Sequence, residues 1–148
     1  MTTSGTSIAR VLSSKGHEVA TIGVDATLTD AVALLRERGI GALVVSDGDR
    51  VLGMLTERDV VRHLADGGTA ALSLRVEQVM TAPVTTCTST DTTDQLMAVM
   101  TEGRFRHLPV VDDGALVGIV SIGDVVKWRI EELRTEAAAL SGYVAGSY

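Results

Sequence analysis

The sequence predicts a mixed α/β (α+β) fold of two β-α-β-β-α units with a long C-terminal helix, and three observations carry that prediction. The first is an internal repeat. Shifted by 65 positions, Val19 to Val61 lies on Val84 to Val126 without a gap. Identical pairs include Thr27/Thr92, Glu37/Glu102, Leu43/Leu108, Asp47/Asp112, Gly53/Gly118 and Asp59/Asp124, and most of the rest exchange one apolar residue for another. Fixed-period self-similarity means one supersecondary unit built twice. The second is a hydrophobic period that alternates between strand and helix spacing at matching places in both copies. The third is composition: 45% hydrophobic but only 3% aromatic, so the core is built from aliphatic side chains. A chain of 148 residues makes about one domain. Each copy, near ~60 residues, is marginal alone, so the two share a core.

Each element follows from local chemistry. Ala20 to Ile22 is a short β stretch. Thr27 caps a helix, with Asp30 as the acidic partner of its capping box. Leu28, Ala31, Val32, Leu34 and Leu35 make one helical face. Gly39 is its C-terminal stop. Ala42 to Val45 reads as a buried strand, Asp47 to Asp49 as a hairpin turn and Val51 to Leu55 as the returning strand. A helix opens at Thr56 with Val60, Val61 and Leu64 on its apolar side. The second copy repeats this: a strand at Thr85 to Cys87, a helix from about Thr93 to Glu102, strands Leu108 to Val111 and Leu116 to Val120, and a helix from Ser121. Ile8 to Leu12 and Val76 to Met80 are helical lead-ins, one for each copy. This divides the chain into a first unit over 7–66, a linker over 67–75, a second unit over 76–140 and a tail over 141–148. The last helix carries Val126, Ile130, Leu133, Ala137 and Leu140 at alternating spacings of four and three, an a/d seam suited to self-association. Ser141 and Gly142 end it.

The net charge of −6 disfavours duplex nucleic acid and anionic membrane as partners. No apolar run reaches the ~18 residues of a membrane span, and the first residues lack the basic and apolar parts of a signal peptide. The expected location is the cytoplasm. The single cysteine, Cys87, excludes an intrachain disulfide and reads as a core hydrophobe. No glycine-rich dinucleotide loop, P-loop, metal-spaced histidine pair or nucleophile–base pair is visible, so the chain is not read as an enzyme.

The chemistry gathers at the start of the second helix of each copy, where Thr56 and Asp59 recur as Ser121 and Asp124. A hydroxyl followed three residues later by a carboxylate is a capping box. A helix N-terminus with free N–H groups also attracts phosphate, and a carboxylate beside it can take both hydroxyls of a ribose. Those parts together suit a nucleoside phosphate.

The repeated unit, with Ala42 to Asp47, His107 to Asp112, the Gly53 and Gly118 strands and both hydroxyl–carboxylate helix starts, resembles a tandem pair of CBS domains. This is the Bateman module of cystathionine β-synthase, inosine-monophosphate dehydrogenase and the γ subunit of AMP-activated kinase. The resemblance spans roughly Ser7 to Leu133. It implies repeats packed about a pseudo-twofold axis with two clefts between them. By position, one cleft would combine Thr56, Arg58 and Asp59 with Thr85, Phe105, Arg106 and His107. There Asp59 would hold a ribose, Thr56 a phosphate, and the basic residues the remaining charge. The other would combine Ser121, Ile122 and Asp124 with Lys15, Gly16, Ala20, Ile40 and Gly41, with Asp124 on the ribose and Lys15 on a phosphate. The first is then the basic cleft, and the second is small and apolar apart from Lys15.

The implied role is that of a regulatory sensor binding AMP, ADP, ATP or NAD(H), dimeric, and signalling to a regulated protein. Two alternatives stand beside it: a ligand-free dimeric interaction platform, and a binder of S-adenosylmethionine or another adenosyl compound.

Overall fold

The computed structural model describes residues 5–146, with side chains as far as residue 142. The first repeat runs β1 (Thr21–Ile22), α2 (Leu28–Arg38), β2 (Ala42–Asp47), β3 (Arg50–Thr56) and α3 (Glu57–Gly67). It is preceded by α1 (Ile8–Lys15). A 3-10 turn (Gly68–Ser73) and the short α4 (Val76–Val79) lead to the second repeat, with α5 (Thr93–Gly103), β4 (His107–Asp112), β5 (Ala115–Ser121) and α6 (Ile122–Gly146).

The local signals act as expected. Thr27 and Asp30 form a reciprocal capping box on α2, as Thr92 and Gln95 do on α5. Gly39 closes α2 at φ 63°. The β4–β5 hairpin turns through Asp113 and Gly114, both at positive φ, the geometry that matches strand twist.

The first sheet has three strands in the order β1-β2-β3, β1 parallel and β3 antiparallel to β2. The second has only β4 and β5. The strand expected at Thr85 to Cys87 is reduced to one bridge, Cys87 to Val110. Proline explains the loss. In the first repeat the Val44 N–H donates to the Ala20 carbonyl at 3.1 Å. The counterpart of Val44 is Pro109, which has no N–H to offer Thr85.

The lead-in helices exchange places. Ile8, Val11 and Leu12 of α1 are buried with Cys87, Leu96, Met100, Leu108, Val120 and Val125, the core of the second repeat. Val76 and Val79 of α4 are buried with Leu28, Ala31, Leu35, Leu43 and Leu55, the core of the first. Each lead-in thus serves the opposite repeat, not its own. The crossings are close. A Cβ at Gly118 would stand 2.7 Å from Leu12 Cδ2, and one at Gly53 2.7 Å from Met80 Sδ and 2.8 Å from the Thr81 carbonyl. The two sheets meet through Ala42, Val44 and Met54 with Val19, Val51, Val84, Leu116 and Ile119, so the repeats face each other about an approximate twofold.

Three further expectations change. The segment from Gly67 to Ala71, read as linker, is helical, with Gly67 ending α3 and the 3-10 turn starting at Gly68, and Ala71 is buried in the first core. On α3, Val60 is buried but Val61, a third of a turn on, is 66% exposed. Its counterpart Val126 is likewise exposed, with Ile130, Leu133 and Leu140. Finally, α6 continues through Gly142 to Gly146; the end of the tail, residues 147–148, lies outside the described residues.

Candidate functional site

Both helix starts fold as paired caps. The Thr56 N–H donates to Asp59 Oδ2 at 2.9 Å and the Asp59 N–H donates to Thr56 Oγ1 at 3.3 Å. The Ser121 N–H donates to Asp124 Oδ2 at 2.9 Å and the Asp124 N–H to Ser121 Oγ at 3.1 Å. The hairpin in front of each helix supplies one more acceptor: the Gly41 carbonyl takes the Glu57 N–H at 3.0 Å, and the Arg106 carbonyl takes the Ile122 N–H at 2.8 Å. Each helix N-terminus is therefore held against the start of its own repeat's β2 or β4 strand.

The two carboxylates then diverge. Asp59 is buried, and its second oxygen accepts the Thr81 hydroxyl at 3.1 Å. Asp124 is a quarter exposed and pairs with Lys15, whose Nζ lies 2.6 Å from Oδ2 and also donates to the Ile119 carbonyl at 2.9 Å. Burial pushes the Asp124 carboxyl up, but the hydrogen bonds from Lys15 and Ser121 and the lysine charge outweigh it and leave it below its ordinary value.

A cleft of about 560 Å³ opens beside Asp124. Lys15, Ala20, Ile40, Gly41, Ser121 and Asp124, six of the eight residues expected there, line it. Gly16 borders it in sequence only, and Ile122 is 37% exposed on the helix's outer side. The walls also bring in Glu18, Arg38, Ala42, His107 and Ile119. His107 was expected beside Asp59. The antiparallel register pairs it with Ser121, and it lines the Asp124 cleft. Burial lowers the His107 pKa from its ordinary value; Lys15 and Arg106 lower it further, against Asp124 and Glu57. The Asp124 cleft gathers Lys15, Arg38 and His107, against Glu18 and Asp124.

The remaining residues expected around Asp59 lie at the surface. Arg58, Thr85 and Arg106 are exposed. The Phe105 ring folds back on the end of α5, so close that a Cβ at Gly103 would overlap it. Sequence reasoning missed Arg38, because its repeat counterpart is the uncharged Gly103, and missed Thr81, which lies before the repeated segment's start at Val84. The first was readable from the repeat, but nothing local marked either residue as facing a cleft.

The arrangement can do two things chemically. A free carboxylate oxygen at a helix start accepts hydroxyls, and a lysine, an arginine and an imidazole nearby attract an anionic group.

Comparison with known proteins bears on both fold and site. The family model described as "CBS domain" matches twice, over residues 9–66 and 76–131. A mitochondrial CBS domain-containing protein of Arabidopsis thaliana is 36% identical, over 97% of this chain and 74% of its own length. The crystal structure of a CBS-domain containing protein from Agrobacterium tumefaciens is 47% identical with a TM-score of 0.81, covering 87% of this chain and 97% of that one. A CBS domain protein from Pyrobaculum aerophilum, complexed with AMP, shares the fold at 24% identity and a TM-score of 0.72, over 80% of this chain and 89% of its own.

Proposed function

This chain belongs to the CBS-domain family, carries its unit twice, and we propose that it is a regulatory module holding an adenine nucleotide in the Asp124 cleft. The cleft itself carries the proposal: one open space combines a carboxylate at a helix start with Lys15, Arg38 and His107. Asp124 receives the ribose hydroxyls. Lys15 and Arg38 receive phosphate by charge and the His107 imidazole by hydrogen bonding, and Ala20, Ile40 and Ile119 leave apolar room for the base. A volume of about 560 Å³ falls inside the ordinary range for small-ligand sites, ~300–1,000 Å³. The family relative bound to AMP supports this ligand class. AMP, ADP, ATP and NAD(H) all present the required adenosine and phosphate.

Binding acts through Lys15. A ribose on Asp124 and a phosphate on Lys15 compete with the ion pair that ties the end of α1 to the start of α6. A ligand that prefers the opened pair shifts the balance between the two arrangements, and the long α6 carries the difference to a regulated protein. The exposed stripe of Val126, Ile130, Leu133 and Leu140 favours dimerisation through α6. The same stripe motivates the second reading, a ligand-free interaction platform.

The test is isothermal calorimetry of the purified chain against AMP, ATP, NAD(H) and S-adenosylmethionine, repeated with Asp124→Asn. Binding of adenine phosphates, weakened at least tenfold by the substitution, supports the sensor. Binding of S-adenosylmethionine that AMP cannot displace moves the assignment to an adenosyl compound. Silence from every ligand leaves the platform.

A further inference from the structure

The first of the two symmetry-related sites is filled by the protein itself. Asp59 Oδ2 accepts the N–H and the hydroxyl of Thr56 at 2.9 and 3.1 Å, and Oδ1 accepts the Thr81 hydroxyl at 3.1 Å. Both oxygens are engaged, and the residue is only 6% exposed. Thr81 is held there by its backbone. Its N–H donates to the Met54 carbonyl at 2.8 Å, and its carbonyl accepts the Met54 N–H at 3.0 Å, a short antiparallel bridge onto β3. The crossing is flush because Gly53 has no side chain to hold Met80 and Thr81 away.

On the other side the lead-in is offset by 68 positions rather than 65, since the Ile8 N–H donates to the Asp91 carbonyl as the Val76 N–H does to Ala26. The carbonyl of Ile119, the counterpart of Met54, receives Lys15 Nζ at 2.9 Å where Met54 receives the Thr81 N–H. Among the described residues no hydroxyl of α1 bonds Asp124. All the hydrogen bonds received by Asp124 fall on Oδ2, so among the described residues Oδ1 has no partner. The cleft of about 560 Å³ lies on this side. One difference, a threonine hydroxyl on Asp59 Oδ1 against a lysine on Asp124 Oδ2, separates a carboxylate satisfied by its own chain from one with an oxygen to spare.

We infer that this is a one-site module: the Thr81 hydroxyl occupies the position a ribose hydroxyl would take on Asp59, and ligand enters only at Asp124. Thr81 is then the residue that sets stoichiometry. The inference rests on the proposed nucleotide function of the Asp124 cleft and adds to it which cleft is used and why.

The experiment is calorimetric stoichiometry with AMP as the probe, on the wild-type chain, on Thr81→Gly, on Thr81→Ala and on Asp124→Asn alone and combined with Thr81→Gly. Circular dichroism confirms that each is folded. The expected result is one AMP per wild-type chain, two per Thr81→Gly chain, none for Asp124→Asn and one for the double variant. Thr81→Ala removes the hydroxyl with little change in backbone freedom, and is expected to follow Thr81→Gly. Two AMP per wild-type chain would overturn the one-site inference and leave the nucleotide reading standing. So would one AMP that survives Asp124→Asn, or Thr81 variants that both stay at one. Absence of AMP binding to wild type and to both Thr81 variants would overturn both proposals together.

Discussion

Replacing Gly53 by alanine tests the crossing of the two repeats at its tightest point. The new Cβ would stand 2.7 Å from Met80 Sδ, 2.8 Å from the Thr81 carbonyl oxygen and 3.2 Å from Met80 Cγ. The thioether can swing aside, since methionine is flexible. The carbonyl cannot, because it belongs to the two-bond bridge with Met54. Moving it strains or breaks both bonds, each worth about 0.5–1.5 kcal/mol net. Overpacking a filled site adds about 1–3 kcal/mol. Against this, alanine in a strand recovers about 0.5–1 kcal/mol of the backbone entropy that glycine loses. The balance is a destabilisation of roughly 1–5 kcal/mol, near 3 at mid-range. For a chain of this size that lowers Tm by about 5–10 °C. Urea melts followed by circular dichroism measure it, with Gly23→Ala as the control, since a Cβ at Gly23 meets nothing within 4 Å and its φ is not positive. If Gly53→Ala proves as stable as Gly23→Ala, the close passage of Met80 and Thr81 over β3 is not a constraint, and the account of the crossing is wrong.

Three more outcomes follow from single residues. Arg104 adopts φ 58° where its counterpart is Gly39; left-handed geometry costs a side-chain-bearing residue about 1–2 kcal/mol, so Arg104→Gly raises stability by about 0.5–1 kcal/mol after glycine's own entropy, and a loss in urea melts would refute this. His107 has a folded pKa below its unfolded value, through burial first and then Lys15. Protonation therefore favours the unfolded chain, and stability is lost as pH falls below about 6.5. His107→Gln flattens melting temperature over that window, and an unchanged slope would contradict the assignment. The Cys87 thiol is pushed up to about 12 by burial, then by Asp91 and Asp112. In the native protein at pH 8 it resists a disulfide reagent that reacts fully in urea; rapid native labelling would show that the second core is open.

Much of the fold was legible because its signals are local. The Thr27/Asp30 box, the Gly39 stop and both hairpin turns depend on neighbours within four residues, and a repeat reports each twice. The lost strand at Thr85 to Cys87 was legible in principle from Pro109, a donor missing from the middle of a ladder. The site was half legible. Asp59 and Asp124 were found by their motif, but the motif could not separate them, since capping boxes look alike whether or not a further oxygen is free.

By itself the sequence determined the repeat, the caps, the two hairpins and the two carboxylates, all set by chemistry within a few residues. Tertiary structure alone decided three things: that α1 packs in the second repeat and α4 in the first, that His107 stands with Asp124, and that Thr81 closes on Asp59 while Lys15 leaves one Asp124 oxygen free. An amphipathic lead-in can bury the same apolar face in either core. Which core it chooses depends on how two similar units fit together, and that choice carries Lys15 to one carboxylate and Thr81 to the other.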